Sequence, residues 1–426
     1  MKVAVIGGGW AGCAAAVEAT RLGQQVTLFE AARIPGGRAR RVESQGPDGQ
    51  PLLLLDNGQH ILIGAYTDTL RLMADVGLDA RALLLRLPLA LQFPDGSGLR
   101  FPKLPTPLDA LGGILGARGW SWRDKFSLLG AAAHWQLGGF RCAPELTVAQ
   151  LCSKLTPAVM AALIEPLCVA ALNTPADRAS GQVFLRVLRD ALFSQSGGSN
   201  LLLPRTDLSA LLPDAALAWL AQRGATVRLS TRVQTLFPLD GRWLLGGEPF
   251  DRIILACPPL EAARLAESSG LPCAPWLAQA RALQFEAITT VYVSSPGARL
   301  AQPMLSLHAS EPEGDAPAQF VFDRGHLGGP DGLLAFVVSA SQGDNAGLSE
   351  RVLLQAGRQL GLAQASVVQT IVEKRATFAC LPGLRRPPSV VLPGLLACGD
   401  YIEGPYPATL EGAVRSGLQA ARLAIK

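Results

Sequence analysis

Lysine is scarce in this chain. It stands only at positions 2, 103, 125, 154, 374 and 426, so arginine carries nearly all of the basic charge and no lysine lies between Lys154 and Lys374. Charged residues of either sign make up only 17% of the 426 residues, and the 38 basic and 34 acidic side chains form no long run of one sign. Such a pattern gives no electrostatic footprint for nucleic acid. The eight cysteines, at 13, 142, 152, 168, 257, 273, 380 and 398, include no C-x-x-C pair, and no histidine is spaced for zinc. A metal site is therefore not expected, and the cysteines read as reduced, mostly buried thiols. No window supplies the roughly 20 apolar residues that a bilayer span requires, although Leu108 to Leu115 and Leu128 to Leu137 are locally apolar. Only Lys2 precedes the apolar Val3 to Ile6, and glycines interrupt that run at once, so the start reads as mature structure rather than a secretory signal. A cytoplasmic location follows as the expectation, with peripheral contact at the inner face of a membrane as an addition to it.

What is abundant is apolar: 49% of the residues are hydrophobic. That balance suits a large core or an apolar ligand site, and the length suggests two domains. Lys2 to Ile6 reads as a buried parallel strand, Trp10 to Leu22 as an alanine-rich helix stopped by Gly23, and Gln25 to Phe29 as a second strand ending on Glu30. Between strand and helix stands Gly7-Gly8-Gly9-Trp10-Ala11-Gly12. In such a turn Gly7 allows the tight reversal, Gly9 lets backbone approach a pyrophosphate, and Gly12 lets helix lie close to strand. The helix N-terminus adds N–H groups, here from Trp10 and Ala11 onward, and a positive dipole end. Glu30, followed by Ala31, is placed to accept hydrogen bonds from a ribose diol and to repel a ribose 2′-phosphate. Dinucleotide binding follows, and NADP is disfavoured at this site.

Downstream, Ile34-Pro35-Gly36-Gly37-Arg38-Ala39 resembles the Gly-Gly-Arg segment of the flavin amine oxidase and phytoene desaturase superfamily. Near the C-terminus, Leu395 to Asp400 and Ala408 to Gly417 resemble that superfamily's closing strand, Gly-Asp turn and final helix. Gly224 to Leu229 with Arg232-Val233 resembles its adenine-side strand, and Ile253 to Pro259 a later strand of the same sheet. The resemblance implies FAD as cofactor on an α/β fold: a Rossmann-type, two-dinucleotide-binding-domain flavoprotein with an inserted α+β substrate domain, amine-oxidase-like. The FAD-binding domain would be discontinuous, from 1–80, 200–260 and 375–426, and 81–199 with 261–374 would bind substrate. The implied cofactor contacts are Gly7, Gly9, Trp10, Ala11 and Gly12, Glu30 and Ala31, Gly37 and Arg38, Val233, Gly399 and Asp400, and Thr409 and Leu410. Thr409 also reads as a helix N-cap.

Asp56-Asn57-Gly58-Gln59-His60-Ile61-Leu62, with Phe93-Pro94-Asp95-Gly96 and the stretch from Leu104 to Lys125, looks like the squalene-associated FAD-dependent group, the hydroxysqualene dehydroxylases of bacterial hopanoid synthesis. That resemblance adds Gly58, Gln59 and His60 to the cofactor contacts and implies reduction of hydroxysqualene to squalene. Spacing assigns no catalytic residue; His60, Tyr401, Glu403 and Tyr406 are the candidate proton donors. No second nucleotide motif identifies an electron donor. A carotenoid-type desaturase and a noncatalytic isoprenoid carrier on the same fold are the competing readings. An amine oxidase is less favoured, because many of those enzymes place a lysine near the flavin in the later substrate region, where this chain has none. Trp120 to Trp135 gathers three tryptophans beside basic groups, a mixture suited equally to an interfacial helix and to a lid over a substrate channel.

Overall fold

The computed structural model describes residues 1–44, 53–193, 195–309, 314–341 and 345–425. A six-stranded sheet organises the nucleotide end, in the order Thr226–Arg228, Gln25–Phe29, Lys2–Ile6, Arg252–Leu255, Leu395–Ala397 and Val390–Leu392. The first five strands are parallel and only the edge strand Val390–Leu392 is antiparallel. The four strand readings from Lys2, Gln25, Gly224 and Ile253 thus fall in one sheet. Arg232 and Val233, read together with the Gly224 strand, lie instead in an irregular run after it. Ser230 has a positive φ of 52° there, so the chain turns away from the sheet before reaching them.

Each central strand is apolar on both faces because both faces are covered. Val3 and Val5 pack against the helices Trp10–Arg21 and Leu410–Ala424, while Ala4 and Ile6 face a second core that continues through Leu203 and Phe184. Five further strands form an antiparallel sheet, in the order Met304–Ser306, Phe320–Asp323, Leu333–Ser339, Phe285–Ser294 and Ser366–Phe378. Its outer face buries Val291, Val293, Leu334 and Phe336 against Leu348, Val352 and Ala356 of the helix Asn345–Leu360. Helices dominate the remaining stretch, among them Leu108–Leu115, Trp122–Leu137 and Gly181–Phe193. Among the described residues no helix is long and apolar enough to cross a membrane.

The first and last helices meet almost backbone to backbone. A Cβ added to Gly417 would stand 2.2 Å from the Ala11 carbonyl oxygen, and one added to Gly12 would stand 1.9 Å from that of Gly7. Hydrogen bonding holds the same corner: Glu411, fully buried, accepts from the backbone N–H groups of Asp68 and Thr69 and from the Thr69 hydroxyl. Overpacking so tight a contact is expected to cost about 1–3 kcal/mol. Gly417→Ala should accordingly lower the unfolding free energy measured in urea by that amount, whereas Gly23→Ala, where a Cβ meets nothing within 4 Å, should cost only what its left-handed φ of +77° imposes.

Candidate functional site

The Gly-rich turn is built as the spacing requires. Gly7 adopts φ +115° and donates its N–H to the Phe29 carbonyl at 2.7 Å; a Cβ there would lie 2.5 Å from the Ala256 oxygen. Gly7 and Gly12 are therefore glycines for the sake of the fold. Gly9 is different: its φ of −73° suits any residue, and a Cβ would meet nothing closer than Gly37 Cα at 3.8 Å. Protein contacts leave open space beside Gly9. The Gly36 N–H donates to the Gly8 carbonyl at 2.9 Å, and the Trp10 indole N–H donates to the Ala39 carbonyl at 3.1 Å, so the Gly36-Gly37-Arg38 turn is clamped against the helix start.

Glu30 stands at the end of the second strand, with one carboxylate oxygen accepting from Gly8 N–H at 2.6 Å and the other from Ala32 N–H at 2.7 Å. Both contacts fix the carboxylate beside the turn, and each oxygen retains a lone pair. Ala31 is exposed next to it. Val233 lies away from the turn's hydrogen bonds and gives its carbonyl to the Arg264 guanidinium at 3.2 Å.

The two chain ends meet at Arg38. Its guanidinium donates to the Asp400 carboxylate and to the Ala376 carbonyl, each at 2.5 Å. Gly399, at φ +155°, packs against the Tyr401 ring, where a Cβ would lie 2.6 Å from the ring edge. The hydroxyl of Thr409 accepts from Gly412 N–H at 3.0 Å, which confirms it as N-cap of the helix that begins at Leu410.

Gly58, Gln59 and His60 sit in a polar knot that the sequence did not reveal. The Gln59 amide donates to the Tyr292 hydroxyl at 2.8 Å and its oxygen accepts from Arg324 at 3.2 Å. Tyr292 in turn donates to the Asp56 carbonyl at 2.8 Å, and Arg324 lies 3.6 Å from the Asp56 carboxylate. Asn57 reaches Glu373 at 3.0 Å. These partners are more than 200 residues away and carry no spacing signal, so only the fold could reveal them. Among the described residues three buried hydroxyls, those of Thr290, Ser306 and Tyr401, have no hydrogen-bond partner, and two of them lie here. Thr290 faces Gly58, whose added Cβ would lie 3.8 Å from its oxygen. An open glycine cradle at Gly9 and Gly37, together with unpartnered hydroxyls beside Gly58 and Gly399, fits a large polar group held between the chain ends.

Beyond Gly399 and Asp400 a cleft of about 870 Å³ opens, with Trp276, Phe378, Leu384 and Val391 on its apolar wall and Arg386, Glu403 and Tyr406 among its polar groups. Arg386 donates to the Asp400 carbonyl at 3.1 Å and to the Gly404 carbonyl, which holds this edge of the cleft to the turn. The Tyr406 hydroxyl accepts from Arg415 at 3.1 Å. Among the described residues no cluster of His, Cys, Asp and Glu could hold a metal. All eight cysteines are free, and burial pushes the thiols of Cys13 and Cys257 up to about 12.

Burial and the nearby Arg38 charge pull the His60 imidazole down to about 4. It is neutral at physiological pH and a poor proton donor. Because its folded-state value lies below the unfolded 6.5, the unfolded chain binds more protons between those limits, and the His60 contribution to stability is lost as pH falls from about 6.5 to about 4. Asp56 acts in the opposite sense, since burial raises it to about 6 despite Arg324. A thermal-melt comparison of the wild type with His60→Gln should therefore show the variant gaining relative stability as pH falls from 6.5 toward 4, with a constant difference above 7.

The profile of the family described as flavin containing amine oxidoreductase matches residues 10–425. A protein named hydroxysqualene dehydroxylase from Rhodopseudomonas palustris is 29% identical over 99% of this chain and 98% of its own length. Another of that name from Sinorhizobium fredii is 28% identical over 100% of this chain and 98% of its own. A zeta-carotene desaturase from Zea mays is 36% identical, but over only 20% of this chain and 14% of its own. Among solved structures, an oxidoreductase from Methanosarcina mazei superposes with a TM-score of 0.74 at 15% identity, covering 99% of this chain and all of that one. Cyclohexylamine oxidase from Brevibacterium oxydans gives 0.67 at 18% identity, over 99% and 98% of the two chains. The α/β fold with its inserted α+β part is thus shared at full length with these oxidoreductases, and the cofactor, given by the family and fitting the cradle, is FAD. This chain belongs to the flavin-containing amine oxidoreductase family and is an FAD-dependent oxidoreductase.

Proposed function

We propose that this protein reduces hydroxysqualene to squalene, as a step of squalene and hopanoid synthesis. The observation that carries the reading is coverage: the hydroxysqualene dehydroxylases match from end to end, whereas the carotene desaturase matches one fifth of the chain. In this reading Gly7, Gly9, Gly12 and the N–H groups of Trp10 and Ala11 hold the FAD pyrophosphate, with Glu30 and Ala31 at a ribose and Val233 at the adenine. Gly37, Arg38, Gly58, Gln59, His60, Gly399, Asp400, Thr409 and Leu410 complete the site. The cofactor site is then assembled from 1–80, 200–260 and 375–426, with 81–199 and 261–374 around the substrate. Reduced FAD supplies the hydride.

The chain's own residues must hold the isoprenoid, exclude water and protonate the departing hydroxyl, so that the C–O bond breaks with loss of water and a C–H bond takes its place. The apolar wall of the cleft suits the hydrocarbon and keeps competing nucleophiles away from an allylic cation. Among the candidate donors, His60 is held neutral and Tyr401 is buried behind Gly399 at 2% exposure. Tyr406 is engaged by Arg415. Glu403 lies on the cleft wall, its own N–H anchored on the Pro387 carbonyl at 2.9 Å, and in this reading donates the proton once the bound isoprenoid covers the cleft and shields its carboxyl from water.

Anaerobic incubation of the photoreduced holoprotein with hydroxysqualene should give squalene together with oxidised flavin; absence of squalene would sink the assignment, and conversion of a polyene to a more unsaturated product with flavin reduction would replace it by a desaturase. Glu403→Gln should slow single-turnover squalene formation by about 10²-fold or more at unchanged FAD content, and an unchanged rate would clear Glu403 of the role. For the cofactor site, Gly9→Ala should unfold at the wild-type denaturant concentration yet purify with about tenfold less FAD, because its methyl group enters space that no protein atom fills. A colourless wild-type protein that takes up no FAD on titration would instead favour a carrier.

A further inference from the structure

The three tryptophans of the Trp120 to Trp135 region do not share one environment. Trp135 is 6% exposed and belongs to the core, Trp120 is half-buried, and Trp122 stands 63% exposed. Around Trp122 the surface is unusually apolar. Leu108, Leu111 and Leu115, at spacings that put them on one face of the helix Leu108–Leu115, are 53%, 42% and 40% exposed, and Phe126 is 62% exposed. Leu104 is 50% exposed and lies beside Gly112 of the same helix. The second helix continues this face: Phe126 stacks on Trp122 at 5.8 Å between ring centres, and Lys125 donates to the Leu115 carbonyl at 2.7 Å while lying 5.1 Å from the Trp122 ring.

Charge on this face has one sign. Lys103, Arg118 and Arg123 are exposed and Lys125 is half-buried, whereas both acids between Phe101 and Phe126 are turned inward. Asp109 bonds to Thr106 and to the Ala110 N–H, and Asp124 caps its helix through Ser121 and accepts from Thr156. A contiguous apolar surface with an aromatic pair at its centre and an all-basic rim is the composition of a helix that lies in a lipid headgroup layer.

We propose that the two helices Leu108–Leu115 and Trp122–Leu137 dock this protein on an anionic lipid bilayer, with Leu104, Leu108, Leu111, Leu115, Trp122 and Phe126 entering the headgroup–acyl boundary and the basic rim contacting phosphates. Docking of this kind is peripheral and reversible, and it does not depend on which substrate the enzyme turns over. The complementary charge favours a lipid surface over a second copy, whose matching face would bring the same basic rim against itself.

Vesicle sedimentation with the FAD-loaded protein tests this. Wild type should bind vesicles of phosphatidylcholine mixed with phosphatidylglycerol more strongly than vesicles of phosphatidylcholine alone, and salt should weaken the difference. The double variant Trp122→Ser, Phe126→Ser should lower partitioning about tenfold or more, and Lys103→Gln with Arg123→Gln should remove the preference for the anionic vesicles. All four side chains are exposed, so the flavin spectrum and melting temperature of both variants should match the wild type. Failure of wild type to bind anionic vesicles, or equal binding by the Trp122/Phe126 variant, would overturn the proposal. A concentration-dependent dimer in sedimentation velocity that the same variant abolishes would also overturn it, assigning the face to a second copy.

Discussion

Contact between the two ends of the chain is the constraint on which the rest of the structure depends. The helix Trp10–Arg21 and the helix Leu410–Ala424 approach until the Gly417 position touches the Ala11 carbonyl, and Arg38 closes on Asp400 alongside them. Neither end makes the cradle alone. The N-terminal segment supplies the open backbone at Gly9 and the acid at Glu30, while the C-terminal segment supplies the Gly399-Asp400 turn and a capped helix N-terminus whose dipole favours negative charge. Bringing them together requires the chain to return to the same sheet, which the parallel pairing of Arg252–Leu255 with both Lys2–Ile6 and Leu395–Ala397 accomplishes.

A second layer of organisation ties the antiparallel sheet, through polar groups, to the short strand Leu53–Asp56 and the loop that follows it. Asp56 ends that strand and Asn57 and Gln59 lie in the loop after it, and their partners Tyr292, Arg324 and Glu373 come from the antiparallel sheet or its border. Buried polar groups are costly unless satisfied, so a network that spans two layers fixes their relative position more sharply than apolar packing does. Beside the knot the Thr290 hydroxyl is left without a partner, and burial with the nearby Arg38 charge holds His60 neutral.

The outer surface follows a different logic. Most exposed apolar side chains on a soluble fold are scattered and need no explanation. Here Leu108, Leu111, Leu115, Trp122 and Phe126 gather on two successive helices, and the two acids of that segment are turned inward while Lys103, Arg118 and Arg123 stay exposed. The chemistry of the interior and the chemistry of this face are thereby separated along the chain, one built from both ends and the other from the middle.

How much of this was legible in sequence depended on how local each cause was. The strand, turn, helix, strand and acid between Lys2 and Glu30 were fully legible, because glycine stereochemistry, alternation and a helix stop act within a few residues. Resemblance of Gly37-Arg38 and Gly399-Asp400 to known segments brought FAD into view, but nothing in either segment announced that Arg38 and Asp400 bond to each other across 362 positions. Resemblance places the Arg232-Val233 pair with the adenine-side strand; a left-handed residue at Ser230 redirects the chain before it. Likewise the three tryptophans near position 130 read as one group, and only packing divided them into core and surface. The sequence by itself therefore determined the nucleotide-binding half-motif, since that rests on short-range backbone geometry, and its resemblance to known segments pointed to the family. The tertiary structure alone decided the polar knot, the neutral His60, the cleft and the exposed apolar face, since each depends on which distant groups exclude water from which others.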